Sequence, residues 1–272
     1  MFDFRVGTLN DTLHLKHSSS DCVRESVGGA YGEKLSDALE PVRQLLEQHP
    51  DEFVLISFSH FCETETPLEQ IKSEIRNILG DSMLVAAKEG QVLTEIPIAA
   101  LAGKVLMLFE LDKADWPYFP PTSMASGSTL ALNFSRAYAS TNNFKKLVST
   151  QQDFFKKISN EGRKANDLIR LDWQLTQSPT EASMVCNEFQ SERVGMVVNS
   201  LLLISNLVGR YKSIIRLADY CNKKLPDAID NWIRTGVINQ NNKPNILYVD
   251  NAGSWVTDLC IRLNQHPLYT SK

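Results

Sequence analysis

An α/β architecture, and within it a single (β/α) barrel of the TIM type spanning residues 1–272, is the fold predicted by three observations. Short runs rich in β-branched and aromatic residues alternate with longer stretches whose apolar residues recur at helical spacing. Most of the short runs are nearly continuous in apolar residues, as strands buried on both faces of a parallel sheet should be. No GxGxxG or phosphate-loop motif follows any strand, which favours a barrel over a doubly wound nucleotide-binding sheet.

Each element has its own signal. Phe2-Asp3-Phe4-Arg5-Val6 reads as the interior of a strand, so the chain opens on one, and a second strand is predicted at 13–17. Leu35, Ala38, Leu39, Val42, Leu45 and Leu46 place one apolar stripe along a helix at 33–48. A strand follows at 53–58, then a helix at 68–79 stopped by Gly80, then a strand at 105–111. The stretch 112–143 carries Trp116-Pro117-Tyr118-Phe119-Pro120-Pro121 and a Ser/Thr/Gly-rich tail; it exceeds a routine connection and reads as an elaboration of one rim. Helices at 144–158, 191–222, 225–235 and 253–263 and strands at 169–175 and 246–249 complete the alternation. The most apolar run, 197–208, is broken by Asn199, Ser200, Ser205 and Asn206 and falls short of the roughly 20 residues a membrane span needs. It reads as a buried helix.

Composition narrows the function classes. With 272 residues, 43% of them hydrophobic, the chain can bury roughly 70–75% of its unfolded surface and needs no metal or disulfide staple to fold. Its 28 basic and 32 acidic residues include no basic run, which argues against a nucleic-acid binder. Cys22, Cys62, Cys186, Cys221 and Cys260 are odd in number, far apart and without metal-ligand spacing, and read as free thiols in a reducing compartment. The N-terminus lacks the basic segment and apolar core of a signal peptide. A monomer in the cytoplasm or at a membrane periphery is expected, with secretion left open by the abrupt start.

In a (β/α) barrel the reactive residues gather where strands end. Those positions hold Asp3 and Arg5, His17, Ser59 and His60, Glu110 and Asp112, Asp172 and Trp173, and Asp250. Two imidazoles, a guanidinium and several carboxylates suit acid–base chemistry on an anion. An arginine presents a planar fork of donors that pairs bidentately with phosphate and stays charged across physiological pH. Plainer readings stand beside these. Asp3 with Arg5 also fits a structural ion pair, His14 on the strand of His17 is an equal candidate from spacing, and Trp173 fits a core. His49 fits a helix C-terminus and His266 a solvated tail.

Taken in order, these residues resemble the X domain of phosphatidylinositol-specific phospholipase C, in its bacterial-type and X-domain-only members. Phe2-Asp3-Phe4-Arg5-Val6 is similar to the family's Phe-Asp-hydrophobic-Arg strand, and Leu13-His14-Leu15-Lys16-His17 to the strand ending in its second catalytic histidine. The segment from Gln48-His49-Pro50 through Phe53-Val54-Leu55-Ile56-Ser57-Phe58 to Ser59-His60-Phe61 resembles its third match, and Gly103-Lys104-Val105-Leu106 the strand after it. Leu171-Asp172-Trp173-Gln174-Leu175-Thr176, Pro244-Asn245-Ile246-Leu247-Tyr248-Val249-Asp250 and Trp255-Val256-Thr257-Asp258-Leu259-Cys260 complete the series.

The resemblance implies a phosphoric diester hydrolase or lyase that cleaves a phosphoinositide-like lipid to diacylglycerol and a cyclic inositol phosphate. It gives His17 the part of general acid, Arg5 the charge on phosphorus, Asp3 the orientation of a base or hydroxyl, and Asp250 the support of the first histidine. His60, Asp172, Trp173 and Trp116 are expected to contact the substrate, with the Trp116–Phe119 aromatics at a peripheral membrane surface. An arginine at position 5, where calcium-dependent members carry an acidic ligand, implies the metal-independent branch, so neither a metal nor another cofactor is expected. Ser59 and Glu110 stand where bacterial members carry basic residues. The family's first catalytic histidine, its general base, lies upstream of the Phe-Asp-Phe-Arg strand and has no match in this sequence. The expectation is therefore a barrel incomplete or distorted at its N-terminal end. The alternative function is an impaired pseudoenzyme that keeps Arg5 and His17 as an anion pocket and binds a lipid head group or a protein partner. A metal-dependent glycerophosphodiesterase fits less well, because this rim shows no carboxylate cluster.

Overall fold

The computed structural model describes residues 1–18, 29–60, 68–85, 96–109, 133–163, 167–177 and 214–270. The chain divides into two compact units, Met1–Asn133 with Ala182–Asn199, and Phe134–Glu181 with Ser200–Lys272.

In chain order the first unit runs β1 (Phe2–Phe4), β2 (Val6–Leu9), β3 (Thr12–Ser18), β4 (Gly29–Lys34), α1 (Leu35–Gln48), β5 (Phe53–Phe58), α2 (Leu68–Leu79) and β6 (Lys104–Phe109). β1, β5 and β6 form a parallel sheet in that order, with Phe4 opposite Phe58 and Phe58 opposite Phe109. Alternation places Phe4, Val54, Ile56, Phe58, Val105, Met107 and Phe109 on one face, packed in a single core with Leu35, Leu39 and Val42 of α1 and Ile71, Ile75 and Leu79 of α2. The rings of Phe58 and Phe109 stack at 4.8 Å, and Phe4 meets Phe58 edge-on at 5.8 Å, which ties the short β1 to its neighbour. Leu55, Leu106 and Leu108 on the opposite face are buried as well, so the nearly continuous apolar strands do mark a sheet covered on both sides. Gly103, at φ +67°, lets the chain enter β6 while its N–H meets the Glu52 carbonyl at 2.8 Å.

The predicted strand 2–6 is two strands. β1 ends at Phe4, the chain turns at Arg5, and β2 leaves for a different, antiparallel sheet ordered β2-β3-β4. The cause is a hairpin. Asn10 and Asp11 both have positive φ, 48° and 60°, as a two-residue turn with primed geometry requires, and they fold β3 back along β2. β4 contains Gly29 and Gly32, which mask its strand character in the sequence, and it pairs with β3 through a bulge between His14 and Lys16.

The second unit contains β7 (Asn133–Ser135) at its start, α3 (Phe144–Glu161), β8 (Asp167–Trp173), α4 (Ile214–Asn222), α5 (Leu225–Arg234), β9 (Ile246–Val249), α6 (Ser254–Asn264) and α7 (Pro267–Thr270). β8 lies between β7 and β9 and is parallel to β9. The Asn143 side chain accepts from the Lys146 N–H at 3.2 Å and caps α3. Ile169, Leu171 and Trp173 of β8 join Leu147, Phe155, Cys221, Ile229 and Trp232 in its core. The described strands thus form three three-stranded sheets. Among the described residues their pairings do not run on into the single closed ladder that a complete barrel requires.

Candidate active site

The sequence candidates of the first unit collect where β1 and β5 end together. Asp3 lies opposite Ser57, on the sheet face away from α1 and α2, and alternation puts Ser59 on that same face. The Ser59 N–H donates to the Phe4 carbonyl at 3.0 Å, extending the parallel ladder one residue past both strands and setting Ser59 beside Arg5. On its other side the Arg5 carbonyl accepts from the Lys16 N–H at 2.8 Å, which brings in the end of β3 and, one residue further, His17. Arg5 therefore stands between the strand that leads to His60 and the strand that leads to His17.

The side chains continue this arrangement. The buried Ser59 hydroxyl donates to Asp3 Oδ1 at 2.7 Å and lies 2.8 Å from Nδ1 of His60. His60 has φ +59°, a left-handed conformation that few residues other than glycine adopt, held here directly after the end of β5. Arg5 and His60 are half-buried and His17 is exposed. His14, the rival of His17, has a structural occupation: its Nδ1 bonds the Gly32 carbonyl at 2.9 Å and its ring meets Tyr31 edge-on at 6.3 Å.

The remaining candidates belong to the second unit. Asp172 is wholly buried and takes two hydrogen bonds from Arg170, at 2.5 and 3.1 Å, while the Arg170 guanidinium lies 4.1 Å over the Tyr248 ring. Trp173 is wholly buried, donates to the Cys221 carbonyl at 2.8 Å and meets Trp232 and Phe144 edge-on. Asp250 accepts from Gln174 at 2.8 Å through its side chain and from Asn222 at 2.8 Å through its carbonyl. Burial pushes the Cys221 thiol up to about 11, which keeps it an unreactive core group. Glu110, Asp112 and Trp116 lie outside the described residues. The bridging part of Ser59 and the pairing of Arg170 with Asp172 were absent from the sequence reading. Arg170 and Asp172 are two apart on one strand, a spacing that signals a shared face, whereas Ser59 meets Asp3 across 56 residues.

The corner thus brings together Arg5, two strands that carry histidines, and the Asp3 carboxylate, which reaches His60 through the Ser59 hydroxyl. The fold is similar to that of phosphatidylinositol-specific phospholipases C. Among solved structures, the chain is similar to the phosphatidylinositol-specific phospholipase C of Listeria monocytogenes, with a TM-score of 0.54 and 14% identity over 97% of this chain and 78% of that one. It is similar as well to the Staphylococcus aureus enzyme from work on membrane binding, with a TM-score of 0.53 and 12% identity over 93% and 74% of the two chains. No protein-family model and no curated protein sequence matches the chain.

Proposed function

We propose that this protein is a phosphodiesterase that cleaves a phosphoinositide-like lipid by intramolecular attack, without a metal ion. The observation that carries the reading is the place of Arg5: its carbonyl accepts from Lys16 of the strand that carries His17, and the carbonyl of the preceding Phe4 accepts from Ser59 at the corner that holds His60. The Arg5 guanidinium pairs with the phosphodiester and offsets the charge that grows on its oxygens as the sugar hydroxyl attacks phosphorus. His17, protonated, gives its proton to the diacylglycerol oxygen as that bond breaks. The products are diacylglycerol and a cyclic phosphodiester, which water then opens to the monoester. The similarity to two bacterial phospholipases C supports this chemistry on this fold.

A lipid substrate requires contact with a membrane surface. Among the described residues no helix is long and apolar enough to cross a membrane, so the reading has the protein meet the bilayer from one side. The Trp116–Phe119 aromatics suit that boundary, and Trp116→Ala should weaken partitioning onto phosphatidylinositol vesicles; unchanged partitioning would remove them from the account. The test of the reaction is phosphorus NMR of phosphatidylinositol micelles with excess chelator. A cyclic phosphate resonance followed by slow monoester is expected. Loss of turnover on chelation would overturn the metal-independent step. Head-group binding with no product would favour the pseudoenzyme.

A further inference from the structure

We propose that Lys16 is a second phosphate-binding residue, which forms with Arg5 a two-cation clamp for the phosphorus group of the substrate. The inference rests on the phosphodiesterase reading above and adds to it a substrate contact outside the residues that the resemblance assigns. Strand register puts the two side chains together. Val6 of β2 lies opposite Leu15 of β3, and the bond from the Lys16 N–H to the Arg5 carbonyl carries that pairing one step further, so Arg5 stands opposite Lys16. Val6 and Leu15 turn to the core, and alternation turns the next pair, Arg5 and Lys16, to the other face. The course of the Lys16 stem shows the same direction. It crosses Gly7, where an added Cβ would stand 2.7 Å from Lys16 Cδ and 3.3 Å from its Cε. Tyr31, opposite Lys16 on β4, bounds the same spot, with an edge of its ring 3.3 Å from that Cβ position and its hydroxyl donating to the Thr8 carbonyl at 3.1 Å. The stem thus lies along bare backbone and leaves the ammonium at its free end.

Two cations opposite one another across a strand pair repel, an unfavourable arrangement that a counter-charge relieves. Among the described residues, neither the Arg5 guanidinium nor the Lys16 ammonium has a hydrogen-bond or ion-pair partner. Asp3, the carboxylate two positions before Arg5, accepts from the Ser59 hydroxyl at 2.7 Å instead. Other basic side chains drawn into the surface are matched: Arg43 has Glu40 and Glu47 against it, and Arg170 has Asp172. Arg5 and Lys16 are both half-buried, so their charges are less screened than those of an exposed pair. A phosphate group completes such a pair. The phosphodiester carries one negative charge, and attack of the sugar oxygen builds more on the phosphorus oxygens before the diacylglycerol oxygen leaves. Arg5 can pair with two of those oxygens through its planar fork, while Lys16 supplies a compact charge to a third. The second cation therefore acts most strongly where the negative charge is greatest, on the way to the transition state.

Full-length protein is titrated calorimetrically with inorganic phosphate and with a soluble inositol monophosphate, and each variant is assayed on phosphatidylinositol micelles. Lys16→Gln, which keeps a polar stem but drops the charge, should weaken binding of both probes by roughly 10- to 10²-fold. It should lower kcat for cyclic phosphate formation by roughly 10²-fold, while Lys16→Arg keeps most of both properties. Lys34→Gln removes a charge from the same sheet and should leave binding near that of the wild type. With no phosphate present and in low salt, Lys16→Gln should raise the thermal midpoint by about 1–3 °C, because the repulsion is gone. Added phosphate should then raise the midpoint of the wild type more than that of the variant. Unchanged affinity for both probes in Lys16→Gln, or an equal loss in Lys34→Gln, overturns the clamp. Loss of affinity for the inositol monophosphate alone also overturns it, since Lys16 would then contact the sugar. If the wild type forms no cyclic phosphate, the phosphodiesterase reading falls, while the two titrations still decide whether Lys16 binds phosphate.

Discussion

In the second unit Arg170 and Asp172 occupy the face of β8 away from its core, as Asp3 does on β1 of the first, yet the two sets of polar groups have opposite surroundings. Arg170 and Asp172 are almost completely buried, bond each other twice, and have Tyr248 against the guanidinium. Asn242 nearby in sequence to β9 is likewise buried and fully engaged, donating to the Phe155 and Val237 carbonyls and accepting from the Asn239 N–H. In the first unit Asp3 is exposed and Arg5 and His60 are half-buried, and the Ser59 hydroxyl lies between the Asp3 carboxylate and His60 Nδ1. Polar groups closed on one another hold a fold. Polar groups left at an open strand end are where the proposed reaction would have to take place.

Substitutions should separate the two regions by what they damage. The largest effect is expected at His17, where alanine should lower kcat by roughly 10²- to 10⁴-fold and leave the thermal midpoint near that of the wild type, since the side chain is exposed. Steady-state assays beside differential scanning calorimetry read both. Asp172→Ala should do the reverse, destabilising by about 3–5 kcal/mol in urea unfolding because it leaves the Arg170 charge buried without its partner. A loss of activity at unchanged stability there would blur the contrast. Asn242→Ala should cost about 1–3 kcal/mol by stranding backbone groups it now satisfies.

Smaller effects are expected at the surface of the first unit. Asp11→Gly should stabilise by about 0.5–1 kcal/mol, since glycine takes the positive φ of the β2–β3 turn without strain. The smallest effect concerns Glu40 on α1, whose carboxyl is pulled from 4.5 to about 2 by hydrogen bonds from Arg43 and Gln44. Because the folded value lies below the unfolded one, the pair's contribution is complete above about pH 4.5 and lost as pH falls toward 2. Glu40→Gln should therefore lower stability slightly near neutrality and converge with the wild type as pH falls toward 2, flattening the acid limb of a far-UV circular dichroism titration; the effect is small because the pair is solvent-exposed.

Much of this was legible in the sequence where local pattern decides structure. The strand Phe53–Phe58, the helix Leu68–Leu79 and the strand Ile246–Val249 have the bounds that their apolar spacing predicts. What was missed depends on turns and long-range pairing. The Asn10–Asp11 turn sends the chain from one sheet to another at Arg5, and a reading based on apolar runs joins β1 to β2 across it. Asp3, Arg5, His17 and His60 were recognisable as polar residues at or near strand ends. That Ser59 links two of them follows only from the parallel register of β1 and β5. Asp172 reads from sequence as a strand-end carboxylate that contacts the substrate, because the sequence shows neither how deeply β8 is covered nor that Arg170 pairs with it.

The claim that the reaction belongs to the rim around Arg5 is tested most directly by one phosphorus NMR time course. Wild-type and Arg5→Ala proteins are each added to phosphatidylinositol micelles in excess chelator. Cyclic phosphate is predicted from the wild type, and from Arg5→Ala at a rate lower by roughly 10²- to 10³-fold, the loss expected when a charge-stabilising donor is removed. Equal rates from the two proteins, or no cyclic phosphate from the wild type, would contradict it.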